Sequence, residues 1–222
     1  MDEHNANHAA LIGEKLREAR EQRKMSLREL ARKAEVSASM LSQIENGKAY
    51  PSVRSTYNIA AALGLPVDYF FPDTDAAVKT RAPEEMTASD LREAQLNGTL
   101  DANALELEQG HAAPVILHGN MRPTISLKGG IEWARLTAHA EPGAEFLEIT
   151  YAPGATSGDR MSHHIGREFG LVLDGALTIE LGFERYTLCQ GDSIIFDSTT
   201  PHRLTNHGDK PMRALWVVLT SR

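Results

Sequence analysis

The stretch MSHHIGREFGLVLDG, residues 161–175, places two adjacent histidines shortly before a glutamate. Imidazole and carboxylate groups are ligands of divalent metal ions, and they also bind polar organic molecules through hydrogen bonds. The glutamate is followed by an apolar run that ends in Asp-Gly, a pair typical of hairpin turns. Three interpretations are therefore open: a metal site, a pocket for a small molecule, or the approach to a β-hairpin.

The chain as a whole has the composition of a globular protein. Its 222 residues are 41% apolar and 24% charged, which suits one large domain or two modest ones. The single cysteine, Cys189, excludes an internal disulfide and a Cys-rich zinc module, and is expected to be a small buried hydrophobe. The start MDEHNANHAA lacks the basic-then-apolar pattern of a signal peptide, and the apolar runs are far shorter than a membrane span. A cytoplasmic location without membrane contact is expected.

Charge is distributed unevenly along the chain. The net charge is −7, yet residues 11–54 hold ten Lys or Arg against six Glu. Residues 71–222 hold 13 basic and 21 acidic side chains. A basic N-terminal unit joined to an acidic body is the pattern expected when a single module faces phosphate groups.

The N-terminal quarter of the chain shows the apolar spacing of short helices. Ser26 and Glu29 have the spacing of a capping box, and Ser37 is placed to cap the next helix. That helix is predicted to end at Asn46-Gly47, since glycine accepts the left-handed conformation found at helix ends. Two helices joined by a short turn form a helix-turn-helix, whose second helix enters the major groove of DNA.

The run LREAREQRKMSLRELARKAEVSASMLSQIENGKAYPSVRSTYNIAAALGL resembles the DNA-binding domain of the Xre and lambdoid phage repressor family almost from end to end. Its LSQIENGK segment is the strongest signature. By this resemblance, side chains on the first turns of the recognition helix face base edges, and those at helix ends and loops meet phosphates. The DNA-binding residues implied are Arg28, Ser37, Ala38, Ser39, Ser42, Gln43, Asn46, Lys48 and Arg54.

Gln43 is expected to be the main base-contacting residue of this set, because its amide can both donate to and accept from adenine. By the same resemblance, Arg20 and Glu45 match a buried ion pair and are assigned to the fold. The alternative for each basic residue is an ordinary solvated side chain. The alternative for the whole module is a helical domain that binds protein.

Four segments are predicted: a flexible N-terminus over residues 1–10, a helix-turn-helix domain over 11–70, a linker with a short helix over 71–114, and a sensor domain over 115–222. In the last segment, short apolar runs are separated by turn residues at the spacing of an all-β barrel or sandwich. Asp174-Gly175 is predicted to be a hairpin turn. The predicted fold class is multi-domain α + β, with an all-α bundle followed by an all-β barrel.

Two stretches of the last segment resemble the cupin family. The first, PGATSGDRMSHHIGREFGLVLDGALTIEL, contains a histidine, three residues, Glu168, six residues and Gly175. The second, LCQGDSIIFDSTTPHRLTN, contains Gly-Asp and then His202, three residues and Asn206. The resemblance covers residues 115–220 and implies a jelly-roll barrel whose inward-facing side chains can hold a metal ion.

The ligand set that this resemblance implies is His164, Glu168 and His202. Members that bind metal have two histidines one residue apart, because alternate side chains of a strand point inward. Here Ser162 and His164 occupy those positions, so His163 is expected to point outward or to lie in a bulge. Two imidazoles and a carboxylate suit one divalent ion, such as iron, zinc, nickel or manganese. The alternative is a polar pocket that holds an organic effector and no metal.

The effector pocket is expected to combine these polar residues with aromatic side chains of the predicted strands, which are equally well explained as core. Its expected members are Tyr151, His164, Glu168, Phe196, His202 and Trp216.

The combination resembles the Xre-cupin regulators of bacteria. It implies a repressor that binds double-stranded DNA at a near-palindromic operator as a homodimer. The implied effector is an amine, an amino acid, a short peptide or a similar metabolite, bound in the barrel. The alternative is a mononuclear non-haem iron oxygenase or epoxidase, since hydroxypropylphosphonate epoxidases resemble this chain in joining a similar helical domain to a cupin.

Overall fold

The structure is a computed structural model that describes the backbone of residues 3–72 and 116–220, with side chains from residue 9 onward. The helices of the first range are α1 (Glu3–Gln22), α2 (Leu27–Lys33), α3 (Ala38–Glu45) and α4 (Val53–Leu63), followed by a 3-10 helix at Val67–Phe70. Helix α1 begins at Glu3, where the sequence analysis placed a flexible N-terminus. The predicted linker helix lies outside the described residues. None of the helices in the described ranges is long and apolar enough to span a membrane.

The capping signals identified in the sequence set the starts of α2, α3 and α4. The Ser26 hydroxyl accepts from the backbone N–H of Glu29, whose carboxylate accepts from the Ser26 N–H, which completes the capping box. Ser37 caps α3 by accepting from the backbone N–H three residues on. Ser52 caps α4 in the same way, and Gly64 ends that helix with a φ of +66°.

The second range is all-β after a short 3-10 helix at Gly119–Met121. Its strands are β1 (Thr124–Leu127), β2 (Ile131–Arg135), β3 (Ala144–Tyr151), β4 (Arg167–Asp174), β5 (Ala176–Leu181), β6 (Glu184–Cys189), β7 (Ser193–Asp197), β8 (His202–Thr205) and β9 (Met212–Leu219). They form a six-stranded sheet in the order β1-β2-β3-β9-β4-β7 and a three-stranded sheet in the order β6-β5-β8. Alternate residues of each long strand are buried, which confirms the predicted α + β fold class with a β barrel.

The Asp174-Gly175 turn does not form a hairpin, so that prediction was wrong. Strand β4 pairs with β7 and β9, whereas β5 pairs with β6 and β8 in the other sheet. Gly175 has a φ of +76°, and a Cβ there would lie 3.1 Å from the Cα of Met212. The glycine therefore turns the chain tightly from one sheet to the other. Turn chemistry is local, but the choice of partner strand depends on how the two sheets pack.

Cys189 is exposed, which corrects the expectation of a buried hydrophobe. It is the last residue of β6, an edge strand of the smaller sheet. Leu188 is the one buried residue of that strand. An edge strand is covered from fewer directions than a central one, so an apolar side chain at its end can remain in solvent.

The N-terminal domain contacts the barrel through the region around α4. Asp68 pairs with Arg135 of β2, with Oδ1 and Nη1 3.3 Å apart and side chains only 4% and 5% exposed. The backbone N–H of Lys128 donates to the carbonyl of Pro51 at 2.9 Å. Buried apolar residues of both domains belong to one hydrophobic cluster. The two domains therefore share a packed interface in this arrangement.

Candidate nucleic-acid interface and barrel site

Helix α3 is fixed against α1 by a buried ion pair. The guanidinium of Arg20 donates to Glu45 twice, at 2.6 Å to Oε1 and 2.8 Å to Oε2. The Glu45 side chain is 3% exposed, and Leu41 and Ile44 are fully buried on the same side of the helix. A two-pronged contact of this kind sets the rotation of α3 about its axis. The assignment of Arg20 and Glu45 to the fold is confirmed.

The opposite side of α3 faces solvent and carries the side chains predicted to contact bases. Ser39 and Gln43 are exposed, and Ala38 and Ser42 are partly exposed. Ser37 is exposed at the N-terminus of the helix, where its hydroxyl is engaged as the cap. The structure thus brings these five predicted residues together on one accessible surface.

Three of the four residues predicted to meet phosphates are accessible to solvent. Arg28, Asn46 and Lys48 are exposed. The Asn46 side chain accepts from Nη2 of Arg17 at 3.0 Å and donates to a carbonyl of α3 at 2.7 Å. Arg17, which is 46% exposed, was missed by the sequence analysis. Its position three residues before Arg20 places both on one face of α1, and that spacing could have identified it.

Arg54, the remaining predicted phosphate contact, lies between the domains. Its Nη2 is 3.6 Å from Oε2 of Glu35. A Cβ added at Gly158 of the barrel would lie 3.6 Å from the Cβ of Arg54. Arg54 also lines a cleft of about 580 Å³ between the turn before α3 and barrel residues 154–160. In this arrangement of the domains, Arg54 is approached by its own chain from both sides.

Inside the barrel, His164, Glu168 and His202 converge on one point. One ligand atom from each lies within 4.8 Å of the other two. Nε2 of His164 is 3.0 Å from Oε1 of Glu168, and Nε2 of His202 is 3.3 Å from the same oxygen. The other carboxylate oxygen accepts from Nε1 of Trp216 at 2.7 Å. The three residues that the cupin resemblance grouped are therefore neighbours in space.

The segment before β4 shows the alternation expected of a strand. Ser162 is buried and exchanges backbone hydrogen bonds with His202 of the neighbouring strand β8. His163 is exposed, and His164 turns inward again. The outward orientation predicted for His163 is confirmed.

Burial and the shared carboxylate act in opposite directions on these groups. Burial lowers the pKa of His202, and the Glu168 charge only partly opposes that effect. Burial also lowers the pKa of His164, but its hydrogen bond and charge interaction with Glu168 outweigh burial and raise the pKa overall. Burial raises the pKa of Glu168, but the hydrogen bond from His164 and the charge of His202 outweigh it, so the net shift is downward. The carboxylate is therefore ionised near neutral pH.

The geometry of His202 fits a cation at this point. Its Nδ1 lies 2.9 Å from the carbonyl oxygen of Thr200, which accepts a hydrogen bond from that nitrogen. A neutral ring then presents the lone pair of Nε2 to the Glu168 carboxylate, and two acceptors at 3.3 Å repel each other. Either a second proton on the ring or a cation relieves the repulsion. Metal-bound histidines commonly donate their other N–H to a carbonyl in this way. The cluster could thus hold one divalent ion.

The space around the cluster is small. The inner cavity of the barrel measures about 20 Å³, enough for one water molecule, whereas pockets for small organic ligands are roughly 300–1,000 Å³. The predicted pocket residues that line it are Tyr151, His164, Glu168, His202 and Trp216. Phe196 is not among the lining residues, and its ring lies 5.1 Å from that of His202. The inner cavity in this arrangement has no room for a metabolite.

Tyr57 of α4, which the sequence analysis missed, closes the mouth of the barrel. Its ring stacks on His164 with centroids 4.2 Å apart and planes inclined by 7°. Its edge meets the ring of Trp133 at 5.9 Å, and its hydroxyl donates to Oε2 of Glu145 at 2.9 Å. Burial raises the pKa of Glu145 to about 7 and holds the pKa of Tyr57 well above its ordinary value. No local signal relates Tyr57 to Glu145, because 88 positions separate them.

Both domains match known families. Residues 16–70 match the Helix-turn-helix family, and residues 147–218 match the Cupin domain family. The chain is 25% identical over 195 residues to the HTH-type transcriptional regulator PuuR of Escherichia coli (strain K12), which covers 87% of this chain and 86% of that protein. It is 35% identical over 66 residues, or 30% of this chain and 61% of the other, to an uncharacterized transcriptional regulator in the ATPase CF(0) region of Rhodospirillum rubrum.

A solved structure supports the whole architecture. The crystal structure of an HTH_3 family transcriptional regulator from Vibrio cholerae superposes with a TM-score of 0.61 at 22% identity. The match covers 98% of this chain and 99% of that one. The arrangement of an N-terminal helix-turn-helix domain and a C-terminal cupin barrel is therefore a fold shared with that protein.

Proposed function

We propose that this chain is a transcriptional regulator of the helix-turn-helix and cupin type, and that it is a repressor whose operator binding is controlled by a small-molecule effector. The observation that carries the proposal is the solvent-facing side of α3, where Gln43 is exposed. The ion pair of Arg20 and Glu45 fixes the buried side of the same helix against α1. The partner is double-stranded DNA, so the proposed place of action is the cytoplasm. The proposed effector is an amine, amino acid, short peptide or similar metabolite.

A homodimer on a near-palindromic operator is part of this proposal, with half-sites one helical turn, ~34 Å, apart. The outer face of the six-stranded sheet supports it. Strand register aligns Phe146, Val217, Phe169 and Ile195 in one row across four strands. Phe146 is 37% exposed and Ile195 is 50% exposed. A continuous apolar row on an exposed sheet face is typical of a surface that meets another protein, and a two-fold axis would pair it with itself.

Control by an effector would follow from linkage. A ligand shifts the populations of domain arrangements only to the extent that it binds one of them more tightly. The packed interface around Asp68 and Arg135 holds the two domains in one arrangement, and a ligand that binds this arrangement more or less tightly than others would change its population.

The catalytic alternative, an iron oxygenase or epoxidase, is not favoured. The relative that matches 87% of the chain is a transcriptional regulator, which supports a regulatory use of the barrel.

A divalent ion at His164, Glu168 and His202 remains part of the proposal, supported by the converging donor atoms. Metal analysis of the purified chain tests it, with His164→Ala and His202→Ala as comparisons. A metal content that is the same in all three proteins would contradict the site.

Electrophoretic mobility shift against the DNA upstream of the gene tests operator binding. Gln43→Ala should weaken binding by about 1 to 3 kcal/mol and relax the preference at one base position. Gln22→Ala at the end of α1 is the matched control, since Gln22 is exposed and its side-chain amide donates to Glu18 of the same helix. Equal operator affinity of the Gln43→Ala variant and the wild type would show that Gln43 contacts no base.

A further inference from the structure

Besides the cleft at Arg54, a second cleft lies between the two domains, next to the inner cavity of the barrel. This interdomain cleft measures about 440 Å³, within the range of pockets that hold small organic molecules. One wall comes from α4 and the segment after it, residues 57–68, and the other from barrel residues 141–145 and 163–165. The cleft is therefore built by both domains together, and it exists only while they are docked.

Tyr57 and His164 separate the interdomain cleft from the inner cavity, because both residues line both spaces. Their rings are the stacked pair at 4.2 Å. Rotation of the Tyr57 ring away from His164 would join the two spaces. Behind that ring, Trp133 lines the inner cavity and carries a buried Nε1 with no hydrogen-bond partner among the described residues. A buried donor without a partner is costly, and a water molecule, for which the inner cavity of about 20 Å³ has room, would accept from it.

The titratable side chains that line the interdomain cleft are mostly acidic. Besides the Tyr57 hydroxyl, they are the carboxyl groups of Asp68, Glu141 and Glu145 and the imidazoles of His163 and His164, and none of the described lining residues is Lys or Arg. Asp68 is already engaged by Arg135. Among the residues that the structure describes, the Glu145 side chain accepts a hydrogen bond from the Tyr57 hydroxyl, which a stronger donor can replace.

The rest of the lining is largely apolar. Ala60, Ala61, Leu65 and Val67 contribute from the helical wall. Ile165 contributes from the barrel wall and is 70% exposed, an unusual exposure for a large aliphatic side chain. Burial of this surface would favour a ligand with a hydrocarbon body.

We propose that the interdomain cleft is the effector site, that Tyr57 is its gate, and that it takes a small organic cation with an apolar body. The inference rests on the proposed function and names its site of control. The cationic group replaces the Tyr57 hydroxyl on Glu145, and the hydrocarbon body lies along Leu65 and Ile165. Displacement of Tyr57 breaks the stack on His164. Because α4 and α3 belong to one packed domain, the ligand changes how α3 is held relative to the barrel.

Intrinsic fluorescence of the full chain tests the site directly. The chain has two tryptophans, Trp133 and Trp216, and both line the inner cavity behind Tyr57. Titration with n-pentylammonium chloride should give a saturable change, and sodium n-pentanoate and 1-pentanol of the same length should bind at least tenfold more weakly. Equal responses to the three probes, or no response to any, would overturn the site.

Two variants test the roles of the Glu145 carboxylate and of the Tyr57 hydroxyl separately. Glu145→Gln should weaken pentylammonium binding tenfold or more, while Glu132→Gln, on the exposed side of β2, should leave it unchanged. Tyr57→Phe should strengthen binding severalfold, because it keeps the ring but frees Glu145 from the hydroxyl. Circular dichroism checks that each variant is folded. If Glu145→Gln binds pentylammonium as the wild type does, the assignment of Glu145 is wrong.

Operator binding with and without saturating pentylammonium tests the coupling. The expected result is a change of at least tenfold in the operator Kd, reduced in Glu145→Gln. Unchanged operator affinity despite probe binding would overturn the assignment of the interdomain cleft as the effector site. Failure of specific operator binding without any probe would instead contradict the proposed function, and the fluorescence titration would still decide whether the site exists.

Discussion

Helices α3 and α4 belong to the same N-terminal domain but direct their polar side chains to different partners. On α3, Ser39 and Gln43 are exposed and face solvent. On α4, Tyr57 is committed to the barrel through Glu145 and His164. The same bundle thus carries a solvent-facing surface on α3 and a barrel-contacting surface on α4. Both helices pack in the same core, so the contact of α4 with the barrel can set the position of α3.

The largest effect is expected where the segment after α4 contacts the barrel, at the buried ion pair between the two domains. Asp68→Ala leaves the Arg135 guanidinium, 5% exposed, without its carboxylate. We expect a loss of about 4 kcal/mol in the free energy of unfolding, measured by urea denaturation. Asp209→Ala, at an exposed barrel loop, is the control and should change little. If Asp68→Ala lowers the free energy of unfolding by less than about 1 kcal/mol, the ion pair between the domains contributes little to stability.

The α3 side has a buried pair of its own. Glu45→Ala removes the two carboxylate oxygens that Arg20 contacts most closely and leaves it the Met25 carbonyl. The Arg20 side chain is 13% exposed and so keeps some access to water. The expected loss is about 3 kcal/mol of unfolding free energy. Glu21→Ala is the matched control, because Glu21 also contacts Arg20, at 3.4 Å, but is 62% exposed. Similar losses for both variants would show that Arg20 needs no buried partner to hold α3.

A smaller effect is expected at the helix cap. Ser37→Ala removes the acceptor for the backbone N–H of Met40 in the first turn of α3 and should cost about 1 kcal/mol in thermal or urea unfolding. Ser39→Ala, two residues further along and exposed, should stay within about 0.5 kcal/mol of the wild type. If the two serine variants unfold alike, the cap does not determine where α3 begins.

The smallest expected effect is on the salt dependence of operator binding. Lys48→Ala, in the exposed loop after α3, should reduce the slope of log K against log salt by about 1 and weaken binding equally across DNA sequences. Lys210→Ala on the barrel should leave the slope unaltered. Identical slopes for the wild type and Lys48→Ala would show that Lys48 contacts no phosphate.

The local features of the fold were predictable because their causes lie within a few residues. Ser26, Ser37 and the glycine after Asn46 act on helix ends that are their immediate neighbours. Alternation along a strand likewise sent His163 outward and His164 inward. The grouping of His164 and Glu168 with His202 came from the family resemblance, and the structure brings the three together.

Features that depend on distant packing were not predictable. The partner of β5 depends on how the two sheets stack, so the Asp174-Gly175 turn was assigned to the wrong structure. Cys189 is exposed because β6 lies at a sheet edge, which its own sequence does not show. The effector pocket was expected inside the barrel, where side chains leave about 20 Å³.

The sequence by itself determined that this chain has an N-terminal unit of short helices and a C-terminal β barrel, since helix caps, hydrophobic periods and turn residues act over short distances. Tertiary structure alone decided that Tyr57 would reach Glu145 across 88 positions and that an acidic cleft would open between the domains. The physical reason is that a contact between two domains depends on the shapes and charges of both surfaces at once. Neither surface is encoded in any single stretch of the chain.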